Sequence, residues 1–119
     1  MASKRSQQQE EIRLRILRLL NENSNLSTRK IAKLVGISNG STYYCINALI
    51  ERGMVKIGNF SSSNNKRNYA YFLTPQGIYE KSILTSKFLK RKIQEYKDLK
   101  YEIEELENES VLIKKDLNI

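Results

Sequence analysis

The chain has 119 residues, of which 39% are hydrophobic and 29% are charged, a balance that suits one small globular domain with an appendage. Its formal net charge of +8 favours acidic partners, with nucleic acid ahead of an anionic membrane surface. A single cysteine and the absence of histidine exclude an internal disulfide, the usual zinc ligand sets and a histidine-dependent catalytic triad.

The positive charge is concentrated in one part of the chain. Residues 1–76 hold 12 basic and 4 acidic side chains, whereas residues 77–119 hold 9 of each. No stretch approaches the roughly 18 consecutive apolar residues of a membrane span, and the N-terminus lacks the apolar core of a signal peptide. We therefore expect a cytoplasmic protein with no membrane partner and no cofactor, which associates with the nucleoid by binding DNA.

The N-terminal third predicts a flexible arm and two helices. Residues 1–7 are polar and uncapped, which indicates a mobile basic arm. From about Gln8 to Asn21, isoleucine and leucine recur at helical spacing and predict an amphipathic helix. Ser27 is a candidate N-cap for a short helix, Thr28–Val35. The side chains of this short helix that should face inward are Ile31, Leu34 and Val35.

The stretch from Val35 to Arg52, VGISNGSTYYCINALIER, has the pattern of the turn and second helix of a helix-turn-helix. Gly36 can end the preceding helix in the left-handed conformation, Ser38 can cap the next helix, and Gly53 ends it. At about 100° per residue, one face of this recognition helix is apolar and the opposite face is polar and aromatic. Asparagine can pair bidentately with adenine, and tyrosine can contact a thymine methyl or a phosphate. The residues predicted to lie at base edges or nearby phosphates are Asn39, Ser41, Tyr43, Tyr44 and Asn47.

A hairpin is predicted after Gly53, where the β-rich runs MVKIGNF and YAYFL flank the polar segment SSSNNKRN. Three helices and a hairpin are the order of a winged helix, whose hairpin, the wing, contacts the DNA backbone or minor groove. Two alternatives stay open: the loop is only a solvated turn, and Tyr44 packs beneath the wing. The residues predicted to hold the DNA backbone are Arg29, Lys30, Lys56, Lys66 and Arg67.

Residues 8–74 are predicted to form the DNA-binding domain. The region that follows, residues 75–119, is predicted to form a long helix with a frayed end. Thr74 can serve as its N-cap and Pro75 as its first residue, and no second proline follows. Continued to about Glu109, such a helix is ~50 Å long. Packing on its own domain accounts for the first half only, so we expect the second half to pair with the same helix of a second copy. The predicted dimerisation residues are Phe88, Leu89, Ile93, Tyr96, Leu99, Ile103 and Leu106.

Charge is segregated along this helix, with lysine and arginine early and glutamate late. Antiparallel pairing would set opposite signs side by side. Exposed ion pairs are weak and are screened by salt, so the pattern favours antiparallel pairing without deciding between the two orientations.

The run NKRNYAYFLTPQG resembles the wing signature of the MarR family, with matches at Arg67, Leu73, Thr74 and Gly77. Asn65 stands where that family usually has aspartate. A closer likeness, over about residues 10 to 100, is to small MarR-like regulators associated with bacterial exopolysaccharide loci. The matching segments are GIS, Tyr44-Cys45, Ala48-Leu49-Ile50-Glu51, Asn59-Phe60, Tyr69-Ala70-Tyr71, LTPQG and FLKRK.

The resemblance implies a mostly α-helical winged helix-turn-helix protein that acts as a dimeric, sequence-specific transcriptional regulator on double-stranded DNA. MarR proteins begin with an additional N-terminal helical segment that joins the dimer interface and helps to form an effector pocket. Because this chain starts almost directly at its first core helix, we expect dimerisation through the C-terminal helix and no small-molecule effector. The chain lacks the motifs of a nucleotide-binding loop or a serine hydrolase, so no catalytic residues are assigned and an enzyme is not expected. A winged-helix adaptor that binds protein is the alternative.

Cys45 lies within the recognition helix and has two interpretations. Oxidation there would disturb DNA reading, but free cysteine is among the most buried residue types and the chain offers it no partner. A small core residue is therefore favoured over a redox sensor.

Overall fold

The computed structural model describes residues 3–59 and 69–117, and within these ranges the chain forms four helices and a two-stranded antiparallel hairpin. The predicted fold class, mostly α with a small hairpin and a long C-terminal helix, is confirmed. No helix in these ranges combines the length and the apolar character needed to cross a membrane. In chain order the elements are α1 (Lys4–Glu22), α2 (Thr28–Val35), α3 (Asn39–Glu51), β1 (Val55–Asn59), β2 (Tyr69–Leu73) and α4 (Pro75–Asp116).

Helix α1 begins at Lys4, earlier than the sequence pattern predicts. The side chain of Ser3 is its N-cap and accepts a hydrogen bond from the Ser6 amide at 3.1 Å, so the polar residues that follow continue the helix. Residues 4–7, for which the sequence predicts a flexible arm, are therefore the first residues of α1. The buried side chains of α1 are Leu14, Ile16, Leu17 and Leu20.

The caps of α2 and α3 are those that the sequence predicts. The hydroxyl groups of Ser27 and Ser38 each accept a hydrogen bond from the amide three residues further on, at 3.1 and 3.0 Å. Gly36 has φ +83° and Gly53 has φ +74°, left-handed conformations in which other residues are strained. These glycines direct the turn between α2 and α3 and the turn into β1.

The core of the N-terminal part is formed by apolar side chains of α1, α2, α3 and the hairpin. On α2 the buried face consists of Ile31, Ala32 and Val35. Leu34 is 50% exposed, so the prediction that it faces inward is wrong. At 100° per residue Leu34 lies about a quarter turn away from the centre of that face, and the smaller Ala32 meets the core instead. The largest fully buried side chains are Ile16, Leu17, Ile31, Ile46 and Thr42.

Strands β1 and β2 pair in a register that runs from Val55 opposite Leu73 to Asn59 opposite Tyr69. Val55 and Ala70 are both buried, and the register puts them on opposite faces of the hairpin, so each face contributes a buried side chain. The amide of Tyr71 also donates to the carbonyl oxygen of Ser24 at 3.0 Å and connects β2 to the loop after α1. The predicted wing tip, with its two cations, lies outside the described residues.

Thr74 joins the hairpin to α4 as its N-cap. Its hydroxyl accepts from the Gly77 amide at 3.1 Å and donates to the carbonyl oxygen of Gly53. Helix α4 has 42 residues and a length of ~63 Å, and it continues beyond Glu109 to Asp116.

The chain divides into two compact units, residues 1–85 and residues 86–119. The first contains the helical core and the hairpin. The described part of the second is helical from Ser86 to Asp116 and has no buried side chain.

Candidate nucleic-acid interface

Helix α3 is anchored in the domain by one buried face. Thr42 has no exposed surface, and its hydroxyl donates to the Ser38 carbonyl oxygen at 2.9 Å. Ile46 and Leu49 follow on the same face and are buried. The hydrogen bond satisfies the polar group that would otherwise be costly to bury, and the three side chains fix which face of α3 points outward.

The first turn of α3 is open to solvent. Asn39, Gly40 and Ser41 are all exposed, and the Ser41 hydroxyl is held by a hydrogen bond of 2.9 Å from Ser38. The amide groups of a helix N-terminus attract phosphate oxygens. This end of α3 therefore suits an approach to a nucleic-acid backbone.

The two tyrosines that follow are among the most exposed large side chains of the N-terminal unit. Tyr43 is 61% exposed and Tyr44 is 76% exposed, while Asn47 is half-buried. Within the described residues Tyr44 is thus not packed beneath the hairpin. The polar and aromatic face that the sequence predicts is available, and the contacts of these residues with bases stay a prediction.

Three of the predicted backbone contacts lie on exposed surface. Arg29 and Lys30 are in the first turn of α2, and Lys56 is on β1. Among the described residues none of the three takes part in an ion pair. Their charges are consequently available to phosphate groups, whereas Lys66 and Arg67 belong to the segment that the structure does not describe.

An open groove of about 580 Å³ lies between α1 and α3. Sequence reasoning missed this groove, although Cys45 and Ala48 on α3 and Arg52, the residue that follows α3, have the spacing of one helical side. Its α3 wall includes Ser41 and Tyr44, two of the predicted DNA-contacting residues. The lining residues are Gln9, Ile12, Arg13, Ile37, Gly40, Ser41, Tyr44, Cys45, Ala48, Leu49 and Arg52.

Cys45 is half-buried in this groove and is not a fully buried core residue. Burial raises the pKa of its thiol, and the positive charge of Arg13 opposes that rise. Arg13 also lies 3.7 Å from a carboxylate oxygen of Glu80 on α4. The thiol is therefore held in its protonated, poorly nucleophilic form, which agrees with the interpretation that its role is packing.

The described residues contain no group of three or more cysteine, aspartate or glutamate side chains placed to hold a metal ion.

The predicted dimerisation residues lie in the second unit. Phe88 is half-buried and is approached by the cations of Arg91 and Lys92, which lie 5.8 and 5.0 Å from its ring centroid. The other six, Leu89, Ile93, Tyr96, Leu99, Ile103 and Leu106, are between 45% and 65% exposed. Their association with a second copy stays a prediction.

Comparison with protein families finds a match over less than half of the chain. A family described as winged helix-turn-helix DNA-binding matches residues 9–56, which extend from α1 into β1. No curated protein matches the chain in sequence.

Three solved regulators illustrate the fold that the chain shares. The PcaV transcriptional regulator of Streptomyces coelicolor, solved with its natural ligand, is 18% identical with a TM-score of 0.58, over 66% of this chain and 54% of its own. A MarR/EmrR family regulator of Acinetobacter sp. ADP1 is 24% identical with a TM-score of 0.58, over 69% and 56%. A MarR family protein of Mycobacterium tuberculosis, in complex with salicylic acid, is 20% identical with a TM-score of 0.53, over 63% and 54%.

The chain thus spans little more than half the length of these regulators. At such identities the likeness establishes the winged helix-turn-helix fold, as expected from the resemblance to the MarR family. The narrower likeness to exopolysaccharide-associated regulators stays a prediction.

Proposed function

We propose that the chain is a sequence-specific regulator of transcription that binds double-stranded DNA as a homodimer on a palindromic operator. The family match and the regulators of the same fold support a DNA-binding regulator. The observation that carries the proposal is the outward face of α3. Its tyrosines are exposed while the opposite face is anchored in the core, and the chain's whole positive excess lies in residues 1–76.

In the proposed complex α3 enters the major groove, where base edges differ between all four base pairs. Asn47 is the candidate for a bidentate contact with adenine, and Tyr43 and Tyr44 are candidates for a thymine methyl or a phosphate. Asn39 and Ser41, in the first turn, reach the adjoining backbone. A two-fold dimer would place two such helices in successive major grooves about 34 Å apart.

Phosphate contacts would position α3 without reading sequence. The candidates for these contacts are the exposed Arg29 and Lys30, in the first turn of α2, and the exposed Lys56, on the hairpin. Lys66 and Arg67 are assigned to the wing from the sequence alone. Each such contact releases counterions, so it contributes to the salt dependence of binding.

The first experiment identifies an operator by selection from a random duplex pool and then measures affinity by fluorescence anisotropy. Asn47→Ala should weaken binding to the selected duplex by ~1–3 kcal/mol and leave binding to an unrelated duplex unchanged. Lys56→Ala should weaken binding to both duplexes and reduce the slope of log affinity against log salt by about 0.9. Lys66→Ala and Arg67→Ala should behave as Lys56→Ala does.

Lys114→Ala is the matched control, because it removes the same charge from the last turn of α4. Unchanged specific binding by Asn47→Ala would show that the recognition face is misassigned. A selected site with only one short half-site would contradict the two-fold dimer.

The expectation that no small molecule regulates the chain has no support, since two regulators of the same fold were solved with small ligands. The groove between α1 and α3 has the volume of a small-molecule site. A ligand bound there would touch Ser41 and Tyr44 directly. We therefore replace that expectation with the proposal that a small-molecule effector binds in this groove and alters DNA binding.

A protein-binding adaptor is the alternative from another functional class. An adaptor would have no need of a positive excess confined to the helix-turn-helix and the hairpin. A gel shift on random duplex separates the two functions, because an adaptor should show little binding that is sensitive to salt.

A further inference from the structure

The second unit of the chain consists of two segments with opposite charge. Residues 86–101 contain six basic and two acidic side chains, and residues 102–117 contain six acidic and two basic side chains. The two segments are equal in length. Helix α4 contains the whole of the first segment and the second segment as far as Asp116. The helix therefore has a net charge of +4 on one segment and −4 on the other, with the change of sign between Tyr101 and Glu102.

An exposed apolar stripe, which we call the seam, crosses both charged segments. From Leu99 onward its positions are separated alternately by four and three residues, the spacing of a coiled coil, with the polar Ser110 at the position between Leu106 and Ile113. A shallow groove of about 310 Å³ runs beside its middle part, between Tyr96 and Glu107. The apolar members of the seam are Leu89, Ile93, Tyr96, Leu99, Ile103, Leu106, Ile113 and Leu117, and each is at least 45% exposed. An apolar stripe of this length is unusual on a monomer and typical of an association surface.

The acidic segment is not compensated within its own helix. In the basic segment Lys92 lies 3.1 Å from Glu95 and Gln94 donates to Asp98 at 2.9 Å. Among the described residues, by contrast, no hydrogen bond or ion pair engages the side chains of Glu102, Glu104, Glu105, Glu107 or Glu109. Like charges three and four residues apart destabilise an isolated helix, so a basic partner along this segment would stabilise it.

We infer that the seam is covered by the same helix of a second copy in antiparallel orientation, with the two-fold axis near Tyr101. This inference rests on the homodimer proposed above and specifies its orientation. Antiparallel pairing sets each segment of charge +4 against one of −4, whereas parallel pairing sets like against like in both halves. The second copy is thus the partner whose charge pattern matches the helix along its whole length.

The position of the axis fixes which residues meet. Leu89 lies opposite Ile113, Tyr96 opposite Leu106 and Leu99 opposite Ile103, so these apolar positions face one another, while Ile93 faces Glu109. Lys97 then lies near Glu105 of the other copy. In one helix Leu89 and Ile113 are roughly 36 Å apart at about 1.5 Å per residue, which is far beyond the reach of a disulfide.

Cysteine cross-linking of the full chain tests the orientation. Leu89→Cys and Ile113→Cys are each introduced into a chain that also carries Cys45→Ser, which removes the native thiol. Under mild oxidation a mixture of the two variants should form a covalent dimer that contains one of each chain. Neither variant alone should form a covalent dimer efficiently, because its two thiols would lie at opposite ends of the pair.

Each other outcome overturns the inference in a distinct way. Efficient cross-linking of each variant with itself would establish parallel pairing. A dimeric mass without any of these cross-links would show that the second unit is not the interface. A monomeric mass at micromolar concentration would refute the proposed dimer together with its orientation, while the anisotropy measurement on DNA would still test DNA binding separately.

Charge reversal gives an independent readout that does not depend on disulfide geometry. Lys97→Glu with Lys100→Glu, or Glu102→Lys with Glu105→Lys, should each raise the dimer dissociation constant by about tenfold at low salt. The chain that carries all four substitutions should recover most of the affinity, since opposite charges face each other again. If the fourfold variant instead lost as much dimer affinity as the two double variants lose together, the antiparallel arrangement would be overturned.

Discussion

Replacing Gly77 with alanine should destabilise the N-terminal unit, although alanine is the better helix former. Gly77 is buried in the first turn of α4, and a Cβ atom at this position would overlap the Met54 carbonyl oxygen and lie 3.0 Å from its carbonyl carbon. That oxygen also accepts a hydrogen bond from the Thr74 amide at 3.0 Å, so it cannot move without loosening the start of the helix. Overpacking of this kind costs ~1–3 kcal/mol, and a clash with backbone lies at the upper end.

Gly40→Ala is the matched control, because Gly40 is also in the first turn of a helix but a Cβ there would meet no atom within 4 Å. Helix propensity alone stabilises each alanine variant by up to about 1 kcal/mol. Gly40→Ala should therefore be as stable as the parent chain or slightly more stable. The difference between the two variants isolates the cost of the close approach at Gly77.

Urea unfolding followed by far-ultraviolet circular dichroism measures both variants, with thermal melting as a second readout. A loss of 1 kcal/mol corresponds to about 4–8 °C in the melting temperature of a domain of this size. We expect Gly77→Ala to unfold at lower urea and lower temperature than Gly40→Ala. Equal stability of the two variants would refute the packing argument, because the close approach to Met54 is the feature that Gly77→Ala has and Gly40→Ala lacks.

Two further predictions concern single side chains of the N-terminal unit. Thr74→Ala removes the cap of α4 and the hydrogen bond to the Gly53 carbonyl oxygen, so it should lower the free energy of unfolding, measured in urea, by ~1–2 kcal/mol. Thr74→Ser keeps the hydroxyl and should stay within about 0.5 kcal/mol of the parent chain. A Thr74→Ser variant as unstable as Thr74→Ala would show that the methyl group matters and not the hydroxyl. Because burial raises the pKa of the Cys45 thiol, the folded chain has less thiolate near neutral pH than the unfolded chain. Alkylation of the folded chain by iodoacetamide at about pH 8 should therefore be several-fold slower than alkylation of the chain unfolded in urea. Equal rates would contradict the burial of the thiol.

The local pattern of the sequence was sufficient for the capped elements of the fold. Ser27, Ser38 and Thr74 act through hydrogen bonds to amide groups three residues away, and Gly36 acts through its own backbone conformation. Such interactions need no distant partner, so the residue type and its position predict them. Ser3 acts in the same way, and its cap could have been read from the sequence had the polar residues after it been allowed to extend the helix.

Packing between residues far apart in the sequence could not be predicted from such local patterns. Leu34 was assigned to the core by its type, but the face of α2 that meets the other helices is set by their arrangement, and the small Ala32 fits there. The groove between α1 and α3 exists because Arg13 and Tyr44, 31 positions apart, line one space. Neither Arg13 nor Tyr44 belongs to a periodic apolar pattern that would indicate this groove.

The sequence by itself determined the order of the elements, the turn and caps of the helix-turn-helix, and the segregation of charge between residues 1–76 and the long helix. These features depend on neighbouring residues or on composition, which the chain displays directly. Only the tertiary structure decided that Tyr44 is exposed, that Cys45 borders a groove, and that Gly77 is required by the backbone of Met54. Each of these depends on residues from different elements meeting in space, and the free energy of such packing is not expressed in any local pattern.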